Sequence, residues 1–185
     1  MHRFVLAGLV SVAALLTSAP AQAQVEVPQG SVGILGQVAQ NTGEAGAAYR
    51  FAWLAGVSAS YEIGQVSNVG FGPAWSWAFG AYQVPADNLP DDHVTMVEMS
   101  LGLRVRRMLG KSTPRFLTGQ AGATILRFDR AVPPDNDRLY LGPYIAIGLD
   151  QYLGTGTMVS FAVRYGMIAT GPASLALRLG ISLGS

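Results

Sequence analysis

The stretch Ser174-Leu175-Ala176-Leu177-Arg178-Leu179-Gly180-Ile181-Ser182-Leu183 alternates without a break. Leu175, Leu177, Leu179, Ile181 and Leu183 share one face; Ser174, Ala176, Arg178, Gly180 and Ser182 share the other. Successive side chains of a β-strand point to opposite faces, so this period predicts a strand. An amphipathic helix would instead need apolar residues at i, i+3, i+4 and i+7.

The same period recurs upstream. Leu139, Leu141, Ile145, Ile147 and Leu149 alternate with Tyr140, Gly142, Tyr144, Ala146 and Gly148. Val69, Phe71, Trp75, Trp77 and Phe79 alternate with glycine, alanine and serine. Val97, Met99, Leu101, Leu103 and Val105 alternate with Met96, Glu98, Ser100, Gly102, Arg104 and Arg106. Val159, Phe161, Val163, Tyr165 and Met167 alternate with Ser160, Ala162, Arg164 and Gly166. Candidate strands run over 31–39, 49–62, 69–82, 94–108, 115–128, 138–152, 157–169 and 174–184, an even number, with 31–39 and 115–128 alternating least cleanly. Short connections at 63–68, 109–114 and 153–156 alternate with longer, polar ones at 40–48, 83–93 and 129–137; only 170–173 breaks the rhythm. Pro73 and Pro143 fall inside two candidate strands, where each removes a ladder donor. They predict bulges at Gly72-Pro73 and Gly142-Pro143.

Composition narrows the classes. Of 185 residues, 50% are hydrophobic and 12% charged, about half the charged share of an average soluble domain. That excludes a disordered chain. The absence of cysteine excludes a disulfide scaffold, a thiolate metal site and a cysteine nucleophile. A net charge of +1 leaves no basic footprint for nucleic acid. Residues 1–23 read as a cleavable signal peptide: Arg3, an apolar run from Phe4 to Leu16, and Ala21-Gln22-Ala23 as the cleavage site. Losing Arg3 from the 12 basic residues leaves 11 against 11 acidic ones, so the mature chain is formally neutral. After residue 23 no apolar run approaches the roughly 18 residues of a membrane helix. A short N-terminal segment, 24–30, then leads into a single domain, 31–185.

The medium on each face decides the architecture. The large, aromatic face suits lipid. The small and polar face suits the interior of an eight-stranded barrel, which is only wide enough for side chains. Most segments reach the roughly 9–11 residues that a spanning strand needs. Alternating long and short connections complete the pattern. The expected fold is all-β: an eight-stranded antiparallel up-and-down transmembrane β-barrel.

On this alternation, the loop rhythm and segments such as Gly70-Phe-Gly-Pro-Ala-Trp-Ser-Trp-Ala-Phe-Gly80, residues 30–185 resemble the small OmpA/OmpX-type outer-membrane barrels of Gram-negative bacteria. The resemblance implies an outer-membrane location and contact with outer-membrane lipid and lipopolysaccharide. It also implies handling by the barrel-assembly machinery and periplasmic chaperones. No peptidoglycan-binding domain is expected. Many such barrels end on an aromatic residue, whereas this sequence ends Ile181-Ser-Leu-Gly-Ser185, which implies a variant assembly signal.

Six charges fall on the inward face. Glu98, Arg164 and Arg178 are expected at one height towards the outer end; Glu62, Arg104 and Asp150 are expected lower. A charge inside a packed barrel needs a partner. The fourth and eighth candidate strands face each other across the ring, so Glu98 is expected to accept hydrogen bonds from Arg164 or Arg178. A salt-bridged structural core is the first reading, a gated ion path the second. Tyr49, Trp53, Tyr61, Phe71, Trp75, Trp77, Phe79 and Tyr165 share the outward face and fit aromatic girdles at the membrane interfaces. Because Trp53, Trp75 and Trp77 lie mid-strand, a protein-contact patch is the alternative. His93, in Asp91-Asp92-His93, reads as a solvated loop residue rather than a metal ligand or part of a hydrolase triad. Asp135-Asn136-Asp137 lacks the glycine and distant glutamate of a calcium loop. No catalytic residue, cofactor or metal is expected. The rival readings are a lipid-modifying outer-membrane enzyme and a soluble periplasmic ligand-binding barrel. Intact-mass analysis of the mature protein is expected to give Gln24 as its first residue; retention of residues 1–23 would exclude the cleavage reading.

Overall fold

The computed structural model describes residues 29–42, 51–66, 69–83, 93–109, 114–132, 137–154, 156–167 and 173–184. Along them run β1 (Gly30–Thr42), β2 (Phe51–Tyr61), β3 (Gly64–Val66), β4 (Val69–Gln83) and β5 (His93–Met108). There follow β6 (Arg115–Val132), β7 (Asp137–Gly154), β8 (Thr157–Gly166) and β9 (Ala173–Gly184). Neighbours pair antiparallel from β4 round to β9, β9 pairs with β1, β1 with β2, and β2 with β4 closes the ring. β3 continues the β2 stave along β4. The nine strands thus build eight staves of a closed, up-and-down antiparallel barrel. The expected signal peptide 1–23, residues 24–28 of the segment after it, Tyr49 and the loop residues Asp91, Asp92, Asp135 and Asn136 lie outside the described residues. So does the side chain of His93.

Connections after β1, β4, β6 and β8 fall at one end of the barrel, the loop end; those after β3, β5 and β7 fall at the other, the turn end. Strand runs into most of the expected connections, furthest into 63–68 and 129–137. Within 63–68, Gly64–Val66 pairs with Val69–Phe71 instead of turning. Within 129–137, β6 and β7 extend to Val132 and Asp137, with a register shift between Arg127 and Val132. At the turn end Gly156 has φ 77°, in the left-handed region that favours glycine, and its carbonyl accepts the Gly184 amide at 2.8 Å.

The prolines depart from expectation in an instructive way. Neither Pro73 nor Pro143 bulges its own strand: the register runs unbroken through Pro73↔Leu103 and Ala123↔Pro143. The irregularity lies across the ladder. The Phe71 carbonyl accepts the Ile63 amide at 3.1 Å, so Phe71, and Pro73 two residues on, direct their backbone groups towards the β2–β3 stave. That is where the stave breaks, between Tyr61 and Gly64. Likewise the Pro143 carbonyl accepts the Met167 amide at 2.9 Å, placing its missing donor towards β8, just past the end of that strand at Gly166. A closed barrel has no edge, and these two prolines sit where a neighbouring ladder ends.

Alternation sorts the side chains as expected. Leu177 is 51% exposed and Ile147 55%, whereas Ala176 between the flanking leucines is 1% exposed. The interior is less uniformly small and polar than the sequence suggests. Towards the loop end Tyr82, Val94, Met96, Leu126, Phe128 and Tyr140 pack into an apolar layer. Tyr140 meets Phe128 edge-on, with centroids 5.6 Å apart. Phe116, Tyr152 and Met158 form a second apolar cluster at the turn end. Period two fixes which face a residue occupies, but the inward face still has to be filled to the density of a protein core. Leu177→Arg or Ile147→Arg is expected to destabilise the barrel by about 2–4 kcal/mol in urea titrations in lipid, while Ala162→Ser, on the inward face, changes little. Equal tolerance would mean the faces are exchanged, as a one-residue slip would do.

Candidate functional site

Between the two apolar clusters lies a charged layer centred on Glu98 of β5. Its carboxylate pairs with Arg164 of β8 and, at 2.5 Å, with Arg178 of β9. It also accepts hydrogen bonds from Gln37 Nε2 of β1 at 3.1 Å and Ser100 Oγ at 3.2 Å. Four of the eight staves therefore meet on one side chain. The guanidiniums are held in turn. Arg164 donates to Ser100 Oγ at 2.8 Å and lies 4.1 Å from the Tyr144 ring centroid. Arg178 donates to Gln37 Oε1 and, at 3.3 Å, to Ser76 Oγ. Ser100 and Thr124 hydroxyls extend the network at 3.0 Å. Gly102 makes room for it: a Cβ there would stand 2.6 Å from the Tyr144 hydroxyl.

The remaining candidates separate. Arg104 pairs with Asp150 and donates to Ser60 Oγ at 2.7 Å. Glu62, expected in the same group, does not join them. It forms an ion pair with Arg106, whose guanidinium lies 4.9 Å from the Phe116 ring centroid and 3.4 Å from the Tyr152 hydroxyl. Arg106 has the same inward parity as Arg104 two residues before it, and that parity was the available signal for its place in the network. Gln37 and Tyr144 carry no comparable mark in the sequence. A neutral amide and a ring become part of a charged layer only through the heights that register assigns.

The described aromatics Trp53, Tyr61, Phe71, Trp75, Trp77, Phe79 and Tyr165 all face outward, between 37% and 57% exposed. Trp77 lies opposite Val57, and Trp75 opposite Ala59, on the β2–β4 pair. Among the described residues no three histidine, aspartate or glutamate side chains come together as a metal site. The arrangement can brace the staves across the lumen and obstruct it with side chains from every stave.

No family model matches the chain, and no curated protein sequence matches it. Solved structures do. Neisserial surface protein A (NspA) aligns with a TM-score of 0.56 at 13% identity, over 85% of this chain and 97% of its own. The outer membrane protein OprG from Pseudomonas aeruginosa aligns with a TM-score of 0.52 at 14% identity, over 85% and 94%. The outer membrane enzyme PagL aligns with a TM-score of 0.51 at 13% identity, over 84% and 99%. The fold is that of the small eight-stranded outer-membrane barrels, as a single barrel domain.

Glu98→Gln leaves two guanidiniums without their carboxylate and is expected to cost about 3–5 kcal/mol of stability. Arg138→Gln, at an exposed position of β7, is expected to change stability by less than about 0.5 kcal/mol. Arg164→Gln should be more damaging than Arg178→Gln, because Arg164 also loses its stack on Tyr144. Urea midpoints of the four variants check the order.

Proposed function

We propose that the chain is an integral protein of the bacterial outer membrane with a non-enzymatic structural or surface-interaction role, its lumen plugged. The observation that carries this reading is the contrast between the two faces of one closed sheet. Outside, Leu101, Leu141, Ile147, Leu177, Leu179 and the three tryptophans are all roughly half exposed or more. Inside, buried charges are paired across the ring. A soluble barrel would reverse that distribution, since an exposed apolar belt of this extent favours aggregation in water. Outer-membrane lipid and lipopolysaccharide are then the partners of the belt, with the loop end facing outward. The assembly machinery and periplasmic chaperones handle the chain before it closes.

PagL carries enzymatic chemistry on a similar fold, and a fold does not determine an activity. The non-enzymatic reading rests on the inward-facing groups, whose carboxylates are engaged by arginines. The test has two arms. The protein is expected in the outer-membrane fraction, resistant to salt extraction, and shifted in gel mobility by boiling. Lipid A from cells overproducing it is expected to keep its mass. Recovery in a salt wash would overturn the membrane reading, and an altered lipid A mass would overturn the non-enzymatic one.

A further inference from the structure

We propose that the outward face of the β5–β6 hairpin holds one anionic glycerophospholipid of the periplasmic leaflet, its phosphate on Arg107 and Arg115 near the turn end and one acyl chain in a trough above them. The inference rests on the proposed function, in which the apolar face meets lipid and the loop end faces outward. The first observation is where the two arginines stand. Arg107 shares the outward parity of Val105 on β5 and lies opposite Leu117. Arg115 is exposed, two residues before Leu117 on β6, and its carbonyl accepts the Leu109 amide at 2.7 Å. The two are therefore diagonal neighbours on one face, about 7–8 Å apart along the backbone, within reach of one phosphate. Around them the turn-end rim is apolar: Val32, Ile63, Val66, Leu109, Leu153 and Leu183 are 53–67% exposed. Leu109 is level with Arg115, and Leu153 lies beyond the Gln151 that Arg115 pairs with. Arginines inside an apolar rim sit at headgroup depth, not in the water past it, and a guanidinium there can hold a phosphate through two parallel hydrogen bonds.

The second observation is the sign of the charge. From Met99 to Phe128 the sequence has no acidic residue, and the stretches 63–68 and 153–156 at the other two turns carry no charge. A zwitterionic headgroup would bring its own cation to this positive hairpin, whereas a net anionic one does not. The third observation is the surface above. Past the partly buried Leu117, β6 shows only Gly119, Ala121 and Ala123 outward, flanked by Leu101 and Leu103 of β5 and by Ile145 and Ile147 of β7. Those four flanking side chains are 47–66% exposed. They wall an apolar trough one strand wide and about 13 Å long, running from the arginines towards the membrane centre. An acidic protein would match the charge but not a trough that continues into the hydrocarbon. An anionic lipid matches both.

The test uses the full mature chain folded into phosphatidylcholine liposomes that contain a trace of phosphatidylglycerol or phosphatidylcholine spin-labelled on an acyl chain. Electron spin resonance reads the motionally restricted fraction of each. Phosphatidylglycerol is expected to be preferred, and the preference to weaken with added salt. Arg115→Gln is expected to lower it about fivefold, and Arg107→Gln combined with Arg115→Gln to abolish it. Ala121→Leu, which fills the trough and keeps both charges, should reduce the restricted phosphatidylglycerol. All these changes fall on the outward face, and the mobility shift on boiling checks that each barrel is folded. A folded, inserted barrel without the preference, a preference that survives the double variant, or one removed by Arg127→Gln at the loop end would overturn the site. So would a dimer that Ala121→Leu disperses, which would assign the trough to a second copy. Failure to enter the bilayer at all would overturn the lipid-facing reading beneath it.

Discussion

Closure of the sheet is the constraint on which the rest of this structure depends. Once β2 pairs with β4 and β1 with β9, every stave has two neighbours and no strand edge is left for solvent or lipid. In a hydrocarbon medium that is what allows strands to cross at all, since unpaired backbone groups there cost several kcal/mol each. Closure also divides the side chains into two populations that cannot mix. Whatever faces inward must fit with its counterparts from seven other staves, in a space one side-chain layer deep.

The interior answers that constraint in layers. At the loop end, rings and aliphatic side chains fill the bore; in the middle, Glu98 ties β1, β5, β8 and β9 together; at the turn end, Glu62 and Arg106 are walled by Phe116 and Tyr152. Burial between apolar clusters strengthens each ion pair and makes each missing partner more damaging. The same geometry that makes Glu98 a brace therefore concentrates two like charges beside it.

Much of this was legible in the sequence because period two is read directly from residue identity. Leu175 to Leu183 declare their face without help from any neighbour, and so do Glu98, Arg164 and Arg178. What was not legible depends on register. The separation of Glu62 from Arg104 and Asp150 follows from the break in the β2–β3 stave, which shifts Glu62 relative to β5. The prolines show the same limit. Pro73 is visible in its own strand, but the ladder end that accommodates it belongs to another. The apolar interior layer is only partly legible: alternation puts Tyr140 and Met96 on the inward face, but that they meet Tyr82 and Phe128 at one height depends on register.

The pairing of β1 with β9, from Ser31↔Gly184 to Thr42↔Ala173, joins the first stave to the last. Its contacts are the most distant in sequence that the fold contains, so contact order is dominated by the final seam, and topologies of that kind fold slowly. Until β9 arrives, β1 presents an open template of amides and carbonyls, with Val32, Ile34 and Val38 beside it, a segment suited to pairing with another copy. The seam therefore sets a kinetic hazard as well as a shape: a chain whose β9 has not yet paired with β1 carries a sticky edge.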